Sequence, residues 1–278
     1  MKVVFVGDTS LGSRHFGCQL GCEAFREQFA RTGLELLGSY PIPLAERESW
    51  EGRLDGADLV VVNGEGSLHH GRFMEALDVA AIKPAVLVNT VYEENPSDER
   101  LKNFRYIAAR ESLSAEAIRA EGVACDVVPD ALFASSRLRN FRKPAPRRAV
   151  GRTDNAVKTR WRLGPVRIGF RPGFSPKTGH PEDYLSKLCE YERLCIGRFH
   201  AAIAASVLGI PFATWESNTW KTRGLMRDMG VEHLHFGSSR EARAHVPEQF
   251  DPQIAEFASA ALGRVEAMFD RIAELARR

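Results

Sequence analysis

Six short apolar runs recur through the first half of the chain: Val3 to Val6, Leu36 to Tyr40, Leu59 to Val62, Ala85 to Val88, Tyr106 to Ala109 and Asp126 to Val128. Between them lie segments with helical patterning. Two strands joined through a helix pair in parallel, because a parallel partner is reached only by a crossover of about a dozen residues or more. The alternation therefore predicts a parallel sheet with crossover helices, a Rossmann-like lobe. Further strand-length runs at Val166 to Phe170, Leu194 to Ile196 and Pro211 to Thr214 start a second such lobe. The fold class expected is α/β, with two Rossmann-like lobes facing a cleft.

At 278 residues the chain suits two lobes of ordinary size. Residues 137–167 carry nine arginines and two lysines against one acid, with few large apolar residues. That composition reads as a solvated linker, or as a basic rim that attracts an anionic donor or glycan. The ranges expected are 1–140 for the first lobe, 141–165 for the basic linker and 166–278 for the second lobe. A long amphipathic helix closes the chain: Asp251 stands as N-cap, Pro252 follows it, and Ile254, Phe257, Ala261, Val265, Met268, Ile272 and Leu275 repeat at three and four.

Ligands of such folds sit beyond the carboxyl ends of the parallel strands. Gly7 to Gly12, Asn63 to Gly66 and Arg110 fall at those ends in the first half. In the second, the segment Cys195 to Gly230 places Arg198 and His200 in a strand-to-helix turn, with Gly209 as the stop of the following helix. Asn218-Thr219 read as the N-cap of a helix from Trp220 to Met229, with Lys221 in its first turn. A lysine there opposes the helix dipole, and a bound anion relieves the conflict. Each residue also has a plainer reading: Arg110 as an ion pair with Glu111 or Glu116, His200 as a helix cap, Asp130 as the cap of a turn after Pro129, and His69-His70 as a solvated pair.

A net charge of +2 argues against a nucleic-acid binder, and no apolar run approaches the ~20 residues that span a bilayer. With a strand at the very start, the protein is expected to be cytoplasmic, with no transmembrane segment. Five scattered cysteines read as reduced thiols. Cys18 and Cys22 stand four apart on a helix, but no second Cys/His pair stands at zinc spacing, so neither a metal nor a cofactor is expected.

The segment CIGRFHAAIAASVLGIPFATWESNTWKTRGL resembles the C-terminal signature of the polysaccharide pyruvyl transferase family: an Arg-x-His turn, a small-residue helix, a Gly-x-Pro strand and a downstream Lys. VVFVGDTSLG, DLVVVNGEGSLHH and YIAARESLSAEAIRAEGVACDVVPDALF resemble the family's opening loop, its second glycine loop, and its Ala-Arg-(Asp/Glu)-x-x-Ser helix with the strand ending in Pro-Asp. The chain departs from the pattern twice. His15-Phe16-Gly17-Cys18 stands where the family commonly has Asn-x-Gly-Asp, and Glu65 interrupts the second glycine run. The resemblance implies a transferase of cell-surface polysaccharide biosynthesis that moves a pyruvyl group from phosphoenolpyruvate to a saccharide or lipid-linked saccharide as a ketal. It implies His200 as general acid/base with arginines clamping the anion; Glu65 or Asp130, where they face the cleft, are read beside it as acceptors of the hydroxyl protons. Donor binding then falls to Arg198, Arg110, Lys221, Gly64, Gly66 and Asn218, and acceptor binding to His69 and His70. Two other classes fit the same groups: a two-lobe glycosyltransferase using a nucleotide sugar such as a cytidine-linked ulosonic acid, and a non-catalytic anion-binding protein.

Overall fold

The structure, a computed structural model, describes residues 1–42, 50, 52–65, 68–155, 159–163, 166–170 and 173–278, with backbone alone at 159–163 and 166–170. The fold is α/β. The chain divides into two compact units: Met1–Ser13, Gly21–Ser135 and Ala260–Arg278 form one, Arg14–Leu20 and Ser136–Ser259 the other.

The first unit is built on a six-stranded, all-parallel sheet, in the order Glu35–Tyr40, Lys2–Val6, Leu59–Asn63, Ala85–Thr90, Tyr106–Ala109, Asp126–Val127. The four inner strands are buried on both faces, which is why they read as near-continuous apolar runs rather than alternating ones, whereas the edge strand Glu35–Tyr40 is partly exposed. Val3, Phe5, Val61, Val86 and Val88 turn to one side, where Phe25 and Phe29 of the helix Phe16–Thr32 and Phe269 of the helix Pro252–Ala276 cover them. Val4, Val6, Val60, Val62 and Leu87 turn to the other side, against Leu54, Leu77, Leu101 and Ile118. The terminal helix starts at Pro252 as the sequence requires, and most of its predicted stripe is buried. From Ala260 onward it counts with the first unit, because Phe269 lies edge-on to Phe25 and Phe29 at ring centroid distances of 5.1 and 5.7 Å.

The second unit holds a four-stranded parallel sheet in the order His235–Phe236, Phe212–Trp215, Tyr191–Gly197, Arg148–Asn155. Its first strand corrects the sequence reading: Arg148–Asn155 lies inside the range expected to be a linker. This strand carries small and polar residues whose partners composition does not reveal. Thr153 Oγ1 accepts from the Gly197 N–H at 3.0 Å, and Asp154 pairs with Arg198. Outside the sheet, Thr159–Leu163 and Val166–Phe170 form an antiparallel pair. The helix Phe199–Val207 ends before Gly209, whose φ of 62° is the left-handed stop expected there. The next helix spans Lys221–Asp228, and Trp220, not Asn218 or Thr219, takes the N-cap position without a side-chain bond. Among the described residues no helix is long and apolar enough to cross a membrane.

Because Phe269 is fully buried among aromatic rings, Phe269→Ala should destabilise the first unit by about 3–5 kcal/mol. Urea unfolding followed by tryptophan emission measures this, and a loss below about 1 kcal/mol would show that the terminal helix does not contribute to this core.

Candidate functional site

In the first unit the chain passes from Lys2–Val6 to one neighbour, Glu35–Tyr40, and later to the other, Leu59–Asn63. The strand order reverses there, which opens a crevice beyond the carboxyl ends of two adjacent strands. Gly7 takes a φ of 85° directly after the first strand, and a Cβ on it would lie 2.3 Å from the Asn63 carbonyl oxygen. The close approach brings Gly7-Asp8 beside Asn63-Gly64-Glu65. Asn63 Nδ2 donates to the Gly7 carbonyl, Asn89 Nδ2 donates to Asn63 Oδ1, and the Ala131 N–H donates to Asn89 Oδ1, each at 3.0 Å. The chain of amides ties three strand ends together. Asn89 holds the left-handed conformation, φ 55°, which asparagine tolerates better than most residues.

Glu65 is buried here and accepts from the Thr9 hydroxyl at 2.7 Å. Asp8 is also buried; burial alone would raise its pKa, but hydrogen bonds from Ser10 and Ser39 and the Arg26 guanidinium outweigh that and hold it below its ordinary value of 3.8. Gly64 is packed against Thr90, where any Cβ would overlap the Thr90 hydroxyl. Gly66 lies outside the described residues.

Arg110 and Asp130 meet each other in this unit. Their side chains are each 1% exposed, and Arg110 Nη1 donates to Asp130 Oδ2 at 2.7 Å. Asp130 Oδ1 also accepts from the Leu132 N–H, capping the turn Ala131–Ala134. Glu111, the neighbour of Arg110, caps the helix Ser112–Ala120. His69 is buried on the short strand Leu68–His69, paired with Tyr92–Glu93, whereas His70 is exposed and within 3.0 Å of Glu94 Oε2.

The second unit assembles a group of basic side chains. Arg198 stands in extended conformation between Tyr191–Gly197 and Phe199–Val207, and Asp154 grips its guanidinium through Nε and Nη2 at 2.7 and 2.8 Å. This fork leaves Nη1 outside the pair. His200, in the first turn of the helix, is 8% exposed. The Lys221 ammonium donates to Thr219 Oγ1 at 2.5 Å and Asn218 Oδ1 at 3.0 Å, so Asn218 orients the lysine instead of capping the helix.

Two further members escaped the sequence reading. His15 forms a β-bridge with Lys177 and lies 5.5 Å, centroid to centroid, from the His200 ring. Burial lowers the His15 pKa well below its ordinary value, and His200, Arg198, Lys177 and Lys221 press it the same way. These four groups thus share one electrostatic neighbourhood with His15. The departure of His15-Phe16-Gly17-Cys18 from the family pattern was the available signal for His15; Lys177 gave none.

No protein-family model matches the chain, and no curated protein matches it. Among solved structures, an uncharacterised protein from Klebsiella pneumoniae subsp. pneumoniae NTUH-K2044 is similar over 85% of this chain and 93% of its own, with a TM-score of 0.56 and 13% identity. At that identity the likeness is one of fold. An α-glucosyltransferase solved with UDP and a 13-mer DNA aligns over 99% of this chain and 95% of its own, but at a TM-score of 0.43 and 10% identity it carries no argument.

Removing Arg110 leaves the Asp130 carboxylate buried and charged, so Arg110→Met should cost about 3–5 kcal/mol of stability. Chemical denaturation reads this directly, and an unchanged midpoint would mean the pair does not hold these strand ends. Asp8 supplies stability that is complete above 3.8, its unfolded-state value, and is lost as pH falls through its lowered folded pKa. The melting-temperature gap between wild type and Asp8→Asn should accordingly be widest above pH 3.8 and close below it. A gap that widens on acidification would contradict the assignment.

Proposed function

We propose that this protein is a transferase that binds an anionic, keto-acid-derived donor, and that the donor is phosphoenolpyruvate, whose pyruvyl group passes to a saccharide as a ketal. The observation that carries the reading is the gathering of Lys177, Arg198, His200 and Lys221 around His15 at the carboxyl end of a parallel strand and the start of a helix. Cationic groups brought together this way repel one another, and a ligand bearing both a phosphate and a carboxylate relieves the repulsion. The order of motifs from Val3 to Lys221, which resembles that of the polysaccharide pyruvyl transferases, supports the same donor.

In the reaction two acceptor hydroxyls add to the enol carbon of phosphoenolpyruvate, its methylene carbon gains a proton, and phosphate departs. The hydroxyls lose two protons: one balances the methyl group formed and the other leaves with phosphate. His200 is the proton-transferring group, because an imidazole can both donate and accept a proton. Arg198, held flat by Asp154, presents its remaining edge to the donor, and Lys221 adds a point charge that Asn218 and Thr219 aim.

Phosphoenolpyruvate should raise the melting temperature in a concentration-dependent way. Arg198→Ala should weaken that binding by roughly 1.5–3 kcal/mol, the worth of a charge-assisted contact, and Lys221→Ala by less. His200→Asn should keep donor binding and lower turnover by about 10²–10⁴-fold. A shift with cytidine monophosphate and none with phosphoenolpyruvate would replace this donor with a nucleotide sugar, and full turnover in His200→Asn would remove His200 from the chemistry.

A further inference from the structure

Among the described residues one cluster has the composition of a transition-metal site. One ring nitrogen each of His15 and His200 and the Cys18 sulfur lie within 4.8 Å of one another. We infer that His15, Cys18 and His200 form a binding site for a thiophilic divalent metal ion, with zinc as the reference ion.

Two imidazoles and a thiolate are donors that zinc selects, and with no carboxylate or carbonyl in the set, magnesium and calcium are poorly matched. Bond lengths of about 2.0–2.3 Å put the ligand atoms of a tetrahedral zinc site roughly 3.3–3.8 Å apart. The observed separations, 4.8 Å at most, thus contract by no more than ~1.5 Å on binding. Three protein ligands leave the fourth position to water or an anion.

The backbone is shaped for this meeting. His15 and Cys18 flank the start of the helix Phe16–Thr32, and Gly17 between them is the point at which His200 enters. A Cβ on Gly17 would lie 2.3–2.5 Å from the His200 ring atoms Cγ and Nδ1 and its Cβ, so only glycine admits the imidazole. The turn is anchored on the same unit. The Phe16 N–H donates to the Pro176 carbonyl at 3.0 Å, the Thr178 N–H donates to the Arg14 carbonyl at 3.0 Å, and the buried Phe16 ring stacks on Tyr184 at 4.2 Å. In the free protein the Gly17 N–H donates to His15 Nδ1 at 3.2 Å, and an ion taking that nitrogen displaces this long bond. Cys18 differs from the other four cysteines, all of which are buried. Of the basic neighbours, Lys221 and Lys177 oppose a cation, but Asp154 neutralises Arg198, Lys177 is exposed to screening solvent, and ligation adds the charge of the Cys18 thiolate.

The site goes beyond the transferase reading. If His200 moves protons, as that reading holds, an ion here occupies one of its nitrogens and arrests transfer, so occupancy acts as a metal-dependent brake.

The test is a titration of the reduced, metal-free, full-length protein with Co²⁺, followed by absorption, with Zn²⁺ as competitor. One equivalent should produce a near-ultraviolet thiolate-to-cobalt band that Zn²⁺ abolishes. Cys18→Ser should lose the band. His15→Gln and His200→Gln should each weaken binding at least about tenfold, since even outer-shell partners of a metal are worth that much. Cys22→Ser, four residues along the same helix, should behave as wild type. Circular dichroism verifies folding, and if Cys18→Ser unfolds, the two histidine variants carry the test. A band that survives in Cys18→Ser, or a wild type with no saturable band, overturns the site. Cobalt bound through Cys18 in a protein with no phosphoenolpyruvate-dependent activity would keep the site and remove the transferase reading.

Discussion

Burial of the inner strands of the six-stranded sheet on both faces is the constraint on which the first unit depends. Strands covered on each side by aliphatic and aromatic side chains have no room for polar groups along their length, so polarity is confined to their ends. There the backbone stops pairing with its neighbours and its amides need other partners. Asn63 and Asn89 meet that need for three strand ends in series, and Asp130, itself paired with Arg110, takes the Leu132 amide further on. The polar rim of this unit is first a solution to a hydrogen-bonding problem. Thr9 and Glu65 lie on the same rim, at the place where strand order reverses.

The second unit solves the matching problem with charge. Its strand Arg148–Asn155 ends in Thr153 and Asp154, which hold the Gly197 amide and the Arg198 guanidinium. A fork of two bonds fixes the plane of Arg198 more firmly than a single contact would. Lys221 is steadied by neutral oxygens, which aim an ammonium without cancelling it. The two basic residues thus differ in kind, one a directed plate and the other a point charge.

The inner strands of the first half could be read directly because burial on both faces leaves uninterrupted apolar runs, and the stop at Gly209 follows from left-handed geometry. What escaped was of two kinds. Arg148–Asn155 looked like a linker because its arginines dominate the composition while its pairing rests on a threonine, an aspartate and backbone. Arg110 was visible as a site candidate, but its partner Asp130 sits twenty residues on, beyond any helical spacing. His15, Cys18 and His200 were invisible as a group for the same reason: spacing rules see ligands on one element, and these come from two. Gly17, which makes their approach possible, carries no chemistry of its own.

The assignment of Ala260–Arg278 to the first unit has a consequence for how the chain is made. Residues 1–135 leave the ribosome with Phe5, Phe25 and Phe29 lacking the ring that packs against two of them, and that ring arrives only after every residue of the second unit has been synthesised. Synthesis proceeds from the N-terminus at about 5–20 residues per second, so the first unit spends several seconds with one face of its sheet incompletely covered. Order of synthesis and order of completion are therefore inverted: the unit begun first is finished last.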